Sequence, residues 1–286
     1  MGTAALNEPP LWENALPRLN AETHKYKRGH ALVFSGGLTN TGAARLAAMS
    51  AARIGAGLVT VLSPSDALLA NASHLTSIML RETRTIQDAL DCIESRHVTA
   101  ALIGPAYGLG VKTRNDCITL LKKAKTNALI LDADALSSFE EMADALFASI
   151  KVSHIAVVLT PHEGEFRRLF SDIADNEKLT KPEKASQAAI RAGACVVYKG
   201  AQTIVALPDG KYSYNDNGTP LLATAGSGDV LAGMITGLLA AGMPVFEAAS
   251  VAVWLHCEAA KKYGAGLIAE DLPLMIPQIL AAFIGR

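Results

Sequence analysis

Along most of the chain, short aliphatic runs alternate with longer stretches in which apolar side chains return every three or four positions. Residues 30–34, 58–62, 76–80, 98–103, 128–131, 155–159 and 195–198 have the length and β-branched content of buried strands. Between them the spacing predicts helices over 43–54, 86–95, 113–125 and 183–192. Runs 204–207 and 211–214 flank the turn Pro208-Asp209-Gly210, which predicts an antiparallel hairpin at a sheet edge. Val230, Leu231, Met234, Ile235, Leu238 and Leu239 form one apolar face of a further helix. Two more helices are expected over 246–261 and 269–283, with Pro273 tolerated in a first turn. Residues 1–28, broken by Pro9, Pro10 and Pro17, read as an irregular arm packed over the body. The βα alternation predicts an α/β fold with a central, mostly parallel sheet covered on both faces.

Composition narrows this picture. Half of the 286 residues are hydrophobic but only 5% are aromatic, so the core must be aliphatic and rich in alanine. A net charge of −1 gives no support for nucleic-acid binding. The apolar run 230–246 carries three glycines and a proline, so it reads as a core helix and turn, not a membrane span. Cys92, Cys117, Cys195 and Cys257 are scattered, which suits a reduced, cytoplasmic protein. No basic and apolar leader opens the sequence. With no repeat or linker, a single domain over 1–286 is expected, residues 1–28 being its arm.

The chemistry concentrates where strands end. Ala225-Gly226-Ser227-Gly228 precedes Asp229 and a helix, so several backbone N–H groups gather at a helix N-terminus beside a carboxylate. That pairing suits phosphoryl transfer to a hydroxyl, with Asp229 as base; otherwise Asp229 caps the helix and the glycines turn the chain. Residues 35–42 and 104–110 are two more glycine-rich strand ends, placed for a ligand or for close helix–sheet packing. Asp132 and Asp134 close a buried run and serve either as caps or toward metal or phosphate. Thr160-Pro161-His162-Glu163-Gly164-Glu165 sets a histidine among carboxylates, although Thr160 and Pro161 could also be a plain helix start. Lys199 ends another strand within reach of a phosphate, or else in solvent.

In order and spacing these pieces resemble the ribokinase-like superfamily and, within it, the ADP- or ATP-dependent NAD(P)H-hydrate dehydratases. The resemblance runs from about His24 onward. It rests on Gly42-Ala43-Ala44, Gly55-Ala56-Gly57, Leu131 to Leu136, Thr160 to Glu165, Lys199-Gly200-Ala201-Gln202-Thr203, Ala223 to Gly233 and Ala269-Glu270-Asp271. It implies a three-layer α/β/α fold whose reaction phosphorylates the C6 hydroxyl of hydrated NADH or NADPH and eliminates phosphate. Asp229 would be the base, with Gly226, Ser227 and Gly228 holding the phosphoryl oxygens. Ala43, Gly108 and His162 would join Asp229 in contacting the hydrated dinucleotide. Lys199, Gly200, Ala201, Gln202, Thr203 and Gly228 would contact ADP or ATP, with Mg2+ held through water by Glu165 and Asp132. The resemblance further implies a homo-oligomer, often a tetramer. Too few residues precede the match for a fused epimerase domain, so that partner activity is expected on another chain or a removed domain. The rival reading is a vitamin-precursor kinase of the same fold, against which His162 speaks. An inactive nucleotide binder is a third, against which the intact Asp229 speaks.

Overall fold

A computed structural model describes residues 3–18 and 24–284. Its strands are β1 (Ala4–Leu6), β2 (His30–Phe34), β3 (Leu58–Ser63), β4 (Met79–Glu82) and β5 (Ala100–Ile103). They continue with β6 (Ala128–Leu131), β7 (Ala156–Leu159), β8 (Cys195–Tyr198), β9 (Ile204–Ala206) and β10 (Tyr212–Tyr214). Helices α1 (Gly42–Ile54), α2 (Leu68–Ala72), α3 (Ile86–Ser95), α4 (Val111–Lys123), α5 (Asp134–Ser137) and α6 (Ala143–Lys151) lie in the first half. The second half holds α7 (Glu163–Leu169), α8 (Ser171–Ala174), α9 (Lys181–Ala192), α10 (Ser227–Ala240), α11 (Val245–Tyr263) and α12 (Leu272–Ile284).

Among the described residues, all ten strands join one sheet in the order β1-β10-β9-β8-β7-β6-β5-β2-β3-β4. Pairing is parallel from β8 through β4, while β9 runs antiparallel to both β8 and β10. Successive side chains on a strand point to opposite faces, and the core divides accordingly. Ala31 and Val33 of β2 join α1, α10, α11 and α12 on one face. Leu32 and Phe34 join α3, α4, α6, α7 and α9 on the other. The result is the expected three-layer α/β/α fold with an antiparallel edge.

Three expectations change. The arm is not irregular throughout: Ala4–Leu6 pairs in parallel with β10 and closes that edge of the sheet. Trp12, 1% exposed, packs against Trp254 and Phe283, and its indole N–H donates to Asn7. Thr23, at the start of the basic stretch, lies outside the described residues. The strand expected at 76–80 forms instead at Met79–Glu82, an edge position where Arg81 and Glu82 are exposed. Charged residues on an edge discourage further strand pairing.

The third change concerns α10. One apolar face was expected, yet every residue from Val230 to Ala240 is buried. The helix runs between α1, α11 and the sheet, and a helix buried on all sides has no use for a polar face. Its glycines make that fit possible. A Cβ on Gly233 would lie 2.2 Å from the Ala47 carbonyl oxygen, and one on Gly237 would lie 2.6 Å from that of Ala51. So the alanines of α1 and the glycines of α10 bring two backbones together, and the N-termini of both helices emerge side by side.

Candidate functional site

The carboxyl ends of the parallel strands carry nearly all the candidate residues. The strand order reverses at β2 and β5, and open α/β sheets bind ligands beyond such a point. Gly226 caps α10 with a φ of 88°, a left-handed conformation that glycine adopts without steric penalty. Asp229 therefore does not cap the helix through its side chain; it sits in the first turn. Ser227 ties the loop down by donating its hydroxyl to the Leu222 carbonyl at 2.8 Å.

Behind this loop lies a buried charge cluster. Lys199, leaving the end of β8, donates to Asp132 Oδ1 at 2.8 Å and lies 4.0 Å from Glu165 Oε2. Its Nζ is 3.6 Å from the position of a Cβ on Gly228, so the ammonium sits against the mouth of α10. Asp132 is 1% exposed and also accepts from the Thr160 hydroxyl at 2.7 Å. Burial alone would lower the pKa of Lys199, but the charges of Asp132, Glu165 and Asp229 outweigh it and raise it. Lys199 is therefore a fixed cation. Glu165 is pushed up by burial and by Asp132, against the pull of Lys199.

His162 proves to be the N-cap of α7. Its Nδ1 accepts from the Gly164 N–H at 2.9 Å and from that of Glu165 at 3.3 Å. Glu165 returns the favour by accepting from the His162 N–H at 2.8 Å. With Nδ1 an acceptor, Nε2 carries the proton toward Glu165 Oε1 at 3.3 Å. This reciprocal capping satisfies helix donors that would otherwise be orphaned, and it leaves one ring edge half-exposed above the strand end.

Two strained turns complete the floor. Ala133 has a φ of 47° and Ala106 one of 53°, a region that costs a residue with a Cβ. The first turns Asp132 toward Lys199 and Asp134 toward the neighbouring strand end, where Asp134 Oδ2 accepts from the Gly108 N–H at 2.8 Å. Cβ atoms built on Gly42, Gly108 or Gly110 would meet nothing within 4 Å, so these positions face open space.

Asp229 lies between these features. Burial raises its pKa first, then Asp132 and, less strongly, Asp134; Lys199 opposes them, and the balance is a value of about 7. A carboxylate so placed exchanges its proton near neutrality, as a general base requires.

A cavity of about 500 Å³ opens beside the α10 mouth. Lys199, Gly200, Ala201, Thr203 and Gly228 lie on its wall, together with aliphatic Leu222, Leu231 and Val253. Gln202 is exposed and outside that wall, and Ala43, Gly108 and His162 lie outside it too, Gly108 facing open space. Sequence reasoning missed Asn215, Thr219 and His256 of the same wall. Asn215 and Thr219 sit in a polar turn with no periodic signal, and His256 is one residue of a long helix. Among the described residues no group of three or more His, Cys, Asp or Glu could hold a metal ion. Lys199 already bridges Asp132 and Glu165, so no all-protein cage exists there. That donor set fits only a magnesium ion brought by phosphates and keeping several waters.

Residues 31–280 match the model of the family described as NAD(P)H-hydrate dehydratase. An ADP-dependent (S)-NAD(P)H-hydrate dehydratase of Neisseria meningitidis serogroup B is 34% identical, over 87% of this chain and 82% of that protein. A bifunctional NAD(P)H-hydrate repair enzyme of Moorella thermoacetica is 37% identical over 93% of this chain and 52% of its own length. The chain thus spans about half the length of such bifunctional relatives. Among solved structures, an ADP/ATP-dependent NAD(P)H-hydrate dehydratase from Bacillus subtilis, co-crystallized with ATP/Mg2+, superposes with a TM-score of 0.85. It is 29% identical, and the match covers 97% of this chain and 98% of that one.

Proposed function

Because this chain belongs to the NAD(P)H-hydrate dehydratase family, we propose that it dehydrates hydrated NADH or NADPH using ADP or ATP. Asp229 accepts the C6 hydroxyl proton as that oxygen attacks the terminal phosphorus. The bond from this phosphorus to the nucleotide breaks, releasing AMP from ADP or ADP from ATP. The phosphorylated oxygen then leaves C6 as phosphate while the neighbouring carbon gives up its proton, and the ring double bond returns. One observation carries this reading: a carboxyl with a pKa of about 7 stands between a nucleotide-sized cavity and an open, glycine-lined strand end.

The other residues take roles consistent with their surroundings. Backbone N–H groups from Ala225 to Gly228 hold the phosphoryl oxygens, such donors being worth about 3–4 kcal/mol each. Lys199 stabilises phosphate charge without needing to gain a proton. Gly200, Ala201 and Thr203 line the nucleotide side, with Gln202 exposed beside them; Ala43, Gly108 and His162 contact the dinucleotide. Mg2+, when bound, offsets phosphate charge, with Asp132 and Glu165 reaching it through water. No helix among the described residues is long and apolar enough to cross a membrane, and all four cysteines are free. A reduced cytoplasmic setting, a homo-oligomer such as a tetramer, and an epimerase that supplies the correct hydrate complete the proposal.

The test is to mix the protein with hydrated NADH or NADPH and with ADP or ATP, following phosphate release and the return of reduced-nicotinamide absorbance. Both signals rising together, in equal amounts, is the expected result. A vitamin-precursor kinase would leave the hydrate untouched and place a stable phosphoester on its own substrate.

A further inference from the structure

The cavity beside the α10 mouth is tied to a segment far away in sequence. The arm strand β1 pairs with β10, and the Asn7 N–H donates to the Tyr214 carbonyl at 2.9 Å. That register places Asn7 beside Asn215, and both are buried, at 1% and 2% exposure. The Trp12 indole N–H donates to Asn7 Oδ1 at 3.1 Å. Asn7 Nδ2 donates to the Ser250 carbonyl of α11 at 2.7 Å and to Asn215 Oδ1 at 3.0 Å. Asn215 Nδ2 donates in turn to Asn217 Oδ1 and to Cys257 Sγ. Asn217 Nδ2 closes the chain on the Trp254 carbonyl at 3.1 Å and Glu258 Oε1 at 2.9 Å.

Every amide in this chain points the same way, and its ends fix the direction. An indole N–H can only donate, whereas the Ser250 and Trp254 carbonyls can only accept. Asn7 therefore cannot turn over without leaving buried groups unpaired, and Asn215 must offer its oxygen to Asn7 and its nitrogen to Asn217 and Cys257. Asn215, Gly218, Thr219 and Cys257 belong to the wall of the 500 Å³ cavity. The same turn is clamped against residues 200–203. The Asn215 N–H donates to the Thr203 carbonyl at 3.0 Å, and a Cβ on Gly218 would lie 2.2 Å from the Ala201 carbonyl oxygen. A second cavity, of about 290 Å³ beside β2 and β3, is walled by Phe34, Pro64, Asp66, Arg84, Tyr107 and Lys112. None of the bonds in the amide chain reaches it, nor Ala43, Gly108 or His162. We propose that Asn7 is a positioning residue for the nucleotide cavity, setting Asn215 and the turn 215–219 before ADP or ATP enters. A wall ordered in advance spares the nucleotide the cost of ordering it on binding. The assignment rests on the nucleotide part of the dehydratase reading.

The test measures the Kd for ADP by calorimetry, with the KM values for ADP and for the hydrated dinucleotide, in three variants. Asn7→Asp keeps the shape and the acceptor for Trp12, but a carboxylate cannot donate to Ser250 or Asn215. Trp12→Phe removes only the indole N–H at the start of the chain. Leu16→Ala, at a 4% exposed core position of the same arm, costs stability without touching the amides. Asn7→Asp is expected to raise Kd and KM for ADP about tenfold and Trp12→Phe about threefold. The loss should spare kcat and the KM for the hydrate, and Leu16→Ala should melt lower with the Kd for ADP of wild type. An unchanged Kd in Asn7→Asp overturns the proposal, as does an equal rise in Leu16→Ala. Should Asn7→Asp fail to fold, an unchanged Kd in Trp12→Phe overturns it instead. Wild-type protein that binds ADP but dehydrates nothing removes the dehydratase reading, while the comparison of Kd values still decides the role of Asn7. Wild-type protein that binds no ADP removes both.

Discussion

The two cavities flanking Asp229 carry their charge in different ways. The one beside β8 is walled by backbone, small residues and aliphatic side chains, and its single cation, Lys199, is buried among carboxylates. The one beside β2 and β3 carries its charges, Arg84, Lys112 and Asp66, on an exposed rim. In the first, charge belongs to the folded core, so changing it disturbs fold and chemistry together. In the second, charge is attached to the surface, so changing it leaves the folded core as it was. Asp229 stands between these two regimes, and substitutions on either side can break or sharpen the contrast.

The largest effect is expected at Asp229. Asp229→Asn keeps the shape but cannot accept a proton, so kcat should fall by about 10²–10⁴. The thermal stabilisation given by ADP should survive, because the wall of the cavity beside β8 is untouched. Equal activity in the variant would remove the base from the mechanism.

Close behind comes Lys199→Met. It leaves Asp132 and Glu165 buried without their counter-charge, which typically costs about 3–5 kcal/mol when one partner of a buried pair is removed. Lys112→Ala removes a cation of the same type from the exposed rim and should cost less than about 1 kcal/mol. Urea unfolding of both variants measures the difference. Similar losses would mean that the two cavities do not differ in the way proposed.

The pH dependence follows from the same carboxyl. With a pKa of about 7, kcat/KM should drop about tenfold per unit below neutrality as Asp229 takes up its proton. The stability effect has the opposite sign. Between the ordinary value of 3.8 and about 7 the folded chain holds a proton here that the unfolded chain has released. Rising pH through this window therefore removes stability. Asp229→Asn should lack that component, so wild type and variant should differ most in their melting profiles between pH 4 and pH 7. Parallel profiles would place the raised pKa elsewhere.

How much of this was legible in the sequence depends on whether the cause was local. The strand ending at Phe34, the glycine turn before Asp229 and the hairpin around Asp209 all announce themselves through neighbouring residues. The parallel pairing of Ala4–Leu6 with Tyr212–Tyr214 does not, since three residues carry no period and the partner is some two hundred positions away. The burial of α10 on every side was hidden too, because glycine and alanine look alike in a pattern whether they face a helix or solvent. Asp132 and Asp134 were left between cap and ligand. Only the strained backbone at Ala133 reveals that one holds Lys199 and the other the Gly108 amide. His162 was read for its chemistry, and its place as the cap of α7 became visible only with the fold.

The smallest predicted effect probes how the first cavity recognises its ligand. His256 is on its wall, 6% exposed, with Nε2 buried and lacking a hydrogen-bond partner. Burial holds its pKa down to about 4, so the ring is neutral, and it lies against the backbone of Ser227 at the start of α10. An orphaned polar atom in such a place costs about 1–3 kcal/mol, which an apolar side chain of similar size avoids. His256→Leu should therefore raise the melting temperature of the nucleotide-free protein by about 2 °C or more. If the ring finds its missing partner when the nucleotide enters, the same change should raise the KM for ADP about threefold, a loss of less than 1 kcal/mol. A variant that melts lower, with the KM for ADP unchanged, would make the ring a filler and leave recognition there to backbone and shape alone. The contrast with the charged rim of the second cavity would then be sharper still.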